Sequence, residues 1–306
     1  MELSVIIVNY NVRDSLKQCL TSVIKASERI TCEIIVVDNN SSDGSCSMVS
    51  RLFPEVKIIS NNYNAGFARA CNQALNVSSG EFVLLLNPDT IVEGNTLTGC
   101  LEFMRTHEDA GAMGVKMFNG KGRYLRESKR SFPDPATAFY KMSGLSWLFP
   151  QSHLFSRYYK ENLSTDQTGL IEVLPGAFMF IRKSILAETG LLDEDFFMYG
   201  EDIDLSIRIL NAGHKIYYYP GLSITHFKGR SSGKRPLTTT IYFYRAMLIF
   251  AQKYFRKNNF PLFYYILKFA IVLRGTASLT KVAIIRLIRL ITSFFCGRCK
   301  QTEAPR

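Results

Sequence analysis

The chain has 306 residues, of which 47% are hydrophobic and 21% charged, with only 10 prolines and 20 glycines. This composition excludes a disordered, collagen-like or coiled-coil protein and predicts a globular chain with one large domain and an appendage, or with two domains. The net charge of +11 is uneven: residues 228–306 hold 16 basic residues and one acid, whereas the preceding 227 residues carry a net charge of −4. We therefore expect a mildly acidic domain followed by a strongly basic tail.

The seven cysteines are odd in number and irregularly spaced, and no positively charged, apolar leader precedes Leu3. Both features favour a reducing cytoplasm over a secreted disulfide framework. Cys296 and Cys299 form a C-x-x-C near the end of the chain, but no second pair or ligating histidine accompanies them. We interpret this pair as a feature of the tail rather than as a metal or redox site.

Short apolar runs alternate with amphipathic segments through the first 115 residues, which predicts βαβ units on a mostly parallel sheet. The predicted strands are residues 4–10, 33–38, 56–60, 82–89 and 112–115, and the predicted helices begin near Asp14 and cover about 45–52, 66–76 and 95–105. In open α/β sheets, ligands bind beyond the carboxyl ends of the strands. The polar segments 9–11, 38–42 and 87–89 should therefore converge on one crevice.

The second half begins with an irregular stretch, residues 119–168, which contains the basic pair Lys129 and Arg130 and which we expect to cover that crevice. Regular structure resumes near Leu170, with a helix predicted over 200–213 and a strand over 215–220. From about Thr238 onward the pattern is helical, apolar and basic.

The tail has no run of 18 or more uncharged apolar residues, so a spanning helix is not expected. On a helical wheel of residues 281–295, at about 100° per residue, Lys281, Arg286 and Arg289 share one arc while Leu, Ile and Phe fill the other. Such a basic amphipathic helix suits the surface of an anionic membrane; a core helix with solvated charges is the alternative. Nucleic acid is not an expected partner, because the basic residues alternate with aliphatic faces.

Two nucleotide-binding motifs are absent: the sequence has no G-x-x-x-x-G-K-[ST] and no G-x-G-x-x-G after the first strand. Kinase-type NTPases and dinucleotide-dependent oxidoreductases are therefore excluded. Instead, the strand ends are rich in acids and amides. Asp38 ends the second strand, and Asp89 follows the fourth after Asn87 and Pro88, where a carboxylate could hold a hard cation together with phosphate oxygens.

Seven ordered blocks resemble the inverting family 2 glycosyltransferases with the GT-A fold, and within them the rhamnosyltransferase-like branch of bacterial surface polysaccharide synthesis. These blocks are SVIIVNYN, VVDNNSSDGS, NAGFARACNQA, LLLNPD, PGAFMFIRKS, GEDIDLSIR and THFKGRSS, and they cover about residues 3–235. The resemblance implies that a nucleoside diphosphate sugar is held by Asn9, Tyr10, Asn11, Asp38, Asn64, Gly66, Phe67, Arg69, Asn87, Gly176, Arg230, Ser231 and Ser232.

The resemblance also implies a divalent cation, Mg²⁺ or Mn²⁺, bound by Asp89 and His226. Asp89 takes the last position of the family's Asp-X-Asp motif, whereas Asn87 replaces the first acid, and an amide is a weaker ligand than a carboxylate. By the same resemblance Asp202 is the general base, with Glu201 assisting in orientation. Acids in this position also stabilise the start of a helix, and both roles are compatible.

We therefore predict an α/β GT-A domain, a Rossmann-like nucleotide-sugar-binding domain, over residues 1–235, and a basic amphipathic helical tail over 236–306. The expected reaction is inverting transfer of a sugar, with L-rhamnose from dTDP-rhamnose favoured, to a lipid-linked saccharide at the inner face of the cell membrane. Three alternatives remain: another hexose donor such as galactofuranose or glucose, a catalytically silent sugar-nucleotide-binding protein, and a nucleotidyltransferase. The last would typically carry a Gly-rich basic loop where NYNVRDS stands.

Overall fold

The computed structural model describes residues 1–132, 157–160, 163–229, 236–256 and 261–299, without the side chains of residues 157, 261, 287 and 289–299. The chain divides into two compact units, Met1–Ser231 and Ser232–Arg306.

The first unit is built on a mixed sheet. Its strands, in the described part of the chain, are β1 (Leu3–Asn9), β2 (Cys32–Asp38), β3 (Lys57–Ser60), β4 (Phe82–Leu86), β5 (Thr90–Val92), β6 (Ala110–Phe118), β7 (Gly169–Leu170), β8 (Phe178–Arg182) and β9 (Lys215–His226). Their order is β3-β2-β1-β4-β8-β6-β9-β5, with β7 paired to β9. The strands β1 to β4 are mutually parallel, and β8 runs antiparallel to β4.

Helices cover both faces of this sheet. They are α1 (Arg13–Ala26), α2 (Ser45–Leu52), α3 (Phe67–Val77), α4 (Thr96–Thr106), α5 (Ile185–Thr189) and α6 (Glu201–Asn211). All seven residues of β1 are buried, because alternate side chains point to opposite faces and each face has its own core. Val5 and Ile7 lie in the core that contains Leu16 of α1, whereas Ile6 lies in the core that contains Leu205 of α6.

The fourth predicted strand ends earlier than the sequence suggests. It stops at Leu86, and after Pro88 and Asp89 the chain continues as β5, which pairs antiparallel with β9. Proline has no N–H to donate to a sheet ladder, which explains the interruption. The resulting turn carries Asn87 and Asp89 out of the sheet at the carboxyl end of β4.

Two other strands are longer than predicted. The strand predicted over 112–115 is the nine-residue β6, and the segments 215–220 and 223–226 form one strand, β9. The β6–β9 register shifts between the pairs Val115/Tyr219 and Lys116/Ser223, so Pro220 and Gly221 lie in an irregularity of the pairing. The sequence pattern suggested a strand end at this point, but the strand continues beyond it. In the predicted irregular stretch, the described part includes a short 3₁₀ turn, Arg126–Ser128, and residues 133–156 and 161–162 lie outside the described residues.

The second unit contains α7 (Pro236–Phe255) and α8 (Pro261–Cys299). They pack together partly through Tyr244, whose hydroxyl lies 2.8 Å from Ser278 Oγ. Within α8, the stretch Leu262–Arg286 is long and apolar enough to cross a bilayer by length and composition alone, with a mean hydropathy of 1.4. Such a stretch was not expected from the sequence, because Lys268 and Arg274 interrupt its apolar residues.

Candidate active site

The carboxyl ends of β1 and β2 bring the first two predicted donor-binding residues together. Asn9 and Asp38 are register partners on the two strands, and both are buried. Asn9 Nδ2 donates to Asp38 Oδ1 at 2.6 Å and to Ser41 Oγ at 3.0 Å, and Ser41 N donates to Asp38 Oδ2 at 2.8 Å. The carboxylate fixes the Asn9 amide orientation, which leaves Asn9 Oδ1 buried with no hydrogen-bond donor among the described residues.

Two neighbouring asparagines shape the loop after β2. Asn11 lies at a positive φ of 55°, and its Oδ1 accepts from Ser42 N at 2.8 Å. Asn39 is buried and donates through Nδ2 to Gly66 O at 3.0 Å, while its own N–H donates to Asn9 O at 2.9 Å. Asn39 therefore connects the end of β1 to the loop before α3.

The loop before α3 is held against the segment that precedes α6. Asn64 Oδ1 accepts from Gly66 N at 3.0 Å, and Phe67 N donates to Phe197 O at 2.7 Å. Gly66 has a φ of 86°, and a Cβ there would lie 2.6 Å from Phe197 O. Only glycine satisfies both constraints, so this contact fixes the distance between the two segments.

Asp202 sits at the centre of a hydrogen-bonded cluster beside the end of β4. Its Oδ2 accepts from Arg130 Nη2 at 2.6 Å and from Gly176 N at 3.2 Å, and its Oδ1 accepts from Ile203 N at 2.9 Å. The residue after Gly176, Ala177, accepts from Asn87 N at 3.1 Å. The predicted base is thus linked through two residues of backbone to the predicted Asn87 turn.

The guanidinium of Arg130 is largely buried and also donates to Leu174 O. Burial, the largest single influence, lowers the pKa of Arg130, but the interactions with Asp202 and Tyr158 together outweigh it and raise the pKa further above its usual range. Arg130 therefore remains a cation beside Asp202. Its importance was not predicted: the sequence shows it only as half of a basic pair, and its partner is 72 residues away.

Glu201 lies next to Asp202 in the first turn of α6, which begins after Gly200 at a φ of 90°. Its carboxyl is buried, and Oε2 has no hydrogen-bond partner among the described residues. Burial and, second, the charge of Asp202 raise the pKa of Glu201 to about 8. At neutral pH, Glu201 is therefore mostly protonated.

The predicted metal ligands lie side by side. His226 Nε2 is 3.2 Å from Asp89 Oδ1, with both side chains largely buried, and Asp89 O accepts from Phe227 N at 2.8 Å. A carboxylate and an imidazole in contact fit a divalent cation. Among the described residues, no third His, Cys, Asp or Glu joins them to form a larger cluster. Further ligands would have to come from water or from a diphosphate.

The remaining predicted residues are placed less centrally or are not described. Arg69 is 54% exposed and pairs with Glu194 at 3.3 Å, and Tyr10 is half-buried. Arg230, Ser231 and Ser232 lie outside the described residues. Asn39 and Ser41 were not singled out individually, although they lie in the polar segment 38–42 that was predicted to reach the crevice.

Comparisons with known proteins agree with this architecture. The N-acetylglucosaminyl-diphospho-decaprenol L-rhamnosyltransferase of Mycobacterium tuberculosis is 26% identical over 260 residues, covering 81% of this chain and 83% of that protein. Rhamnosyltransferase WbbL of Escherichia coli is 26% identical over 234 residues, covering 73% of this chain and 82% of that protein. The mannosyltransferase PcManGT from Pyrobaculum calidifontis, solved with GDP-Man and Mn²⁺, superposes with a TM-score of 0.56 at 16% identity. The superposition covers 96% of this chain and 80% of that chain.

Residues 4–190 match the sequence profile described as Glycosyl transferase family 2. This matched range contains the strands whose carboxyl ends form the Asn9–Asp38 edge and the Asn87–Asp89 turn, and the structural similarity extends the agreement to the GT-A fold. The chain therefore belongs to glycosyltransferase family 2 and is a GT-A-fold, rhamnosyltransferase-like, inverting glycosyltransferase.

Proposed function

We propose that the chain transfers L-rhamnose from dTDP-rhamnose to a hydroxyl of a lipid-linked saccharide, at the inner face of the cell membrane. The rhamnosyltransferases of M. tuberculosis and E. coli, which align with most of the chain, support the donor sugar, and the decaprenol-linked acceptor named for the first supports the acceptor class. The observation that carries the chemistry is the Asp202 carboxylate, held beside the end of β4 by Arg130 and Gly176.

The nucleoside would bind at the Asn9–Asp38 edge. Asp38 can accept hydrogen bonds from a ribose or a base, and Asn9 Oδ1, which is buried with no hydrogen-bond donor among the described residues, is a further acceptor at this edge. Asn11 and the loop Asn64–Phe67 flank this edge. The diphosphate would then extend towards Asp89, with Arg230, Ser231 and Ser232 as further donors implied by the family resemblance.

In the reaction, the acceptor oxygen forms a bond to the anomeric carbon from the face opposite the diphosphate. The bond between that carbon and the diphosphate oxygen breaks, and its electron pair leaves with the nucleoside diphosphate. The hydroxyl proton passes to Asp202. Because one base suffices and the diphosphate leaves without a proton, no second acid is needed.

Asp202, rather than Glu201, fits the role of base. Glu201 holds its own proton at neutral pH and has no capacity to take another. The carboxylate of Asp202 is paired with Arg130, which holds it in a fixed orientation. A carboxylate is a weak base towards a sugar hydroxyl, so proton transfer is expected late, after bond formation to the anomeric carbon has made the hydroxyl more acidic.

The pair Asp89 and His226 would hold a divalent cation together with the diphosphate. When bound, that cation would neutralise negative charge developing on the leaving group. Two protein ligands bind a hard cation weakly, so binding of the cation and of the sugar nucleotide should depend on each other.

The first prediction concerns the base. Asp202→Asn keeps the shape but cannot accept a proton, so kcat should fall by roughly 10² to 10⁴, the usual contribution of general acid–base catalysis, while the Kd of the donor changes little. Glu201→Gln preserves a neutral side chain and should do less harm. Steady-state kinetics with dTDP-rhamnose, UDP-galactofuranose and UDP-glucose measures both effects.

Near-normal turnover of Asp202→Asn together with an inactive Glu201→Gln would show that Glu201, not Asp202, is the base. If both variants remained active, these acids would only stabilise the start of the helix, and the proposed mechanism would be wrong. If only UDP-glucose were turned over, the chain would still be a glycosyltransferase, but rhamnose would not be its donor sugar. Turnover with none of the three donors, despite nucleotide binding, would favour the catalytically silent alternative.

The second prediction concerns the metal. Thermal stabilisation by dTDP should increase when Mg²⁺ or Mn²⁺ is added, since a ligand that binds only the folded state raises its stability. Asp89→Ala should abolish this divalent-dependent increment and His226→Ala should reduce it, while Asp109→Ala, at an exposed ion pair with Lys215, should leave it unchanged. Full activity in excess chelator would reject the assignment.

The third prediction concerns the charge of Glu201. Its folded-state pKa is about 8 and its ordinary value is 4.5, so the folded state binds more protons between these limits and stability falls as pH rises through this window. Between pH 6 and pH 8.5, the wild type should lose about 2 kcal/mol relative to Glu201→Gln, since one pKa unit corresponds to about 1.4 kcal/mol. Urea midpoints measure this difference, with exposed Glu55→Gln as control; equal pH dependence of all three proteins would contradict it.

A further inference from the structure

The helix α8 presents two different faces along its described length. One face packs on α7: Tyr264, Leu267 and Ile271 are buried, Ser278 contacts Tyr244, and a Cβ at Gly275 would lie 3.1 Å from the Tyr244 ring. The opposite face is exposed and apolar, and it includes Leu262, Tyr265, Ile266, Phe269, Val272, Leu273 and Ile284. The exposed fractions of Leu262, Phe269 and Leu273 are 72%, 69% and 61%.

Four cations between residues 262 and 286 of α8 lie on the flanks between these two faces. At about 100° per residue, Lys268 and Arg286 fall on one flank of the apolar face, and Arg274 and Lys281 fall on the other. All four side chains are exposed, and residues 261–299 contain no acid. A bare apolar face bordered on both sides by basic side chains matches the boundary between the acyl chains and the headgroups of an anionic bilayer.

We propose that α8 lies in the plane of an anionic membrane surface, with the Leu262–Ile284 face inserted among the acyl chains and the four flanking cations on lipid phosphates. The helical wheel of residues 281–295, drawn from the sequence, continues this same apolar face. The face therefore begins about 20 residues before that segment, within the tail predicted over residues 236–306. This inference rests on the membrane location in the proposed function but is independent of the donor sugar.

The spacing of the cations favours this orientation over a span. Arg274 lies 12 residues after Leu262, or about 18 Å along the helix, so a spanning α8 would place its charge near the middle of a hydrocarbon core about 30 Å thick. A cation at that depth is costly. When the helix lies in the plane, all four cations reach the headgroups together.

The same charges disfavour a second copy of this chain as the occupant. Two α8 helices facing each other would bring their flanking cations together, and neither helix has an acidic side chain to neutralise them. An anionic lipid surface supplies the opposite charge on both flanks.

Depth measurements on the full chain test the orientation. Single tryptophans would replace Leu262, Phe269, Thr276 and Ile284 in a Trp147→Phe background, because Trp147 is the only tryptophan in the sequence. Vesicles of phosphatidylglycerol and phosphatidylcholine would carry bromines at different acyl depths to quench the fluorescence. We expect all four positions to lie at one shallow depth, and the exposed control Val77→Trp in α3 to escape quenching.

A depth that is greatest at positions 269 and 276 and least at 262 and 284 would show a span and overturn the proposal. Absence of quenching, together with a dimer in sedimentation that Phe269→Asp disrupts, would identify a second copy and also overturn it. Neither readout uses sugar transfer, so an inactive enzyme that binds vesicles in this way would refute the proposed function alone.

Charge reversal tests the electrostatic part. The pair Arg274→Glu and Lys281→Glu should lower partitioning onto anionic vesicles at least about tenfold, and higher salt should weaken wild-type binding. The matched pair Lys25→Glu and Arg51→Glu makes the same change in net charge at exposed positions of α1 and α2 and should have little effect. Equal loss for both pairs, or equal binding to neutral vesicles, would contradict the flanking-cation account.

Discussion

The ion pair between Arg130 and Asp202 is the interaction on which the proposed active site depends. It joins a cation from the stretch after β6 to a carboxylate in the first turn of α6, and Gly176 N adds a second hydrogen bond to the same oxygen. Buried ion pairs of this kind are costly to break, because removal of one partner leaves the other charge uncompensated. The position of Asp202 is therefore set by three separate segments rather than by its own helix alone.

The sheet places this cluster beside the Asn9–Asp38 edge, where the nucleotide is proposed to bind. The strands β1, β2 and β4 are parallel, so Asn9, Asp38 and Asn87 emerge at the same edge, and antiparallel β8 begins where β4 ends. The hydrogen bond from Asn87 N to Ala177 O ties that edge to the segment that holds Asp202. Inverting transfer requires donor and base to be fixed relative to each other, and this bond supplies one such constraint.

Much of this arrangement could be predicted from the sequence, because it depends on local patterns. Apolar runs ending in Asn9, Asp38 and Asn87 identify parallel strands and their carboxyl edge. By contrast, the partnership of Arg130 with Asp202 and the unbroken course of β9 past Pro220 depend on contacts between distant parts of the chain. Neither hydrophobic periodicity nor turn chemistry encodes such contacts, so the structure was needed to find them.

A double-mutant cycle on the ion pair tests the central claim that Arg130 positions Asp202 as the base. We expect Arg130→Met to lower kcat with little change in donor KM, Arg130→Lys to retain more activity, and exposed Arg123→Met to be near normal. If Arg130 acts through Asp202, adding Arg130→Met to Asp202→Asn should lower kcat by no more than about threefold relative to Asp202→Asn alone. Losses in kcat that multiply instead would show that the two residues act independently and would contradict the account.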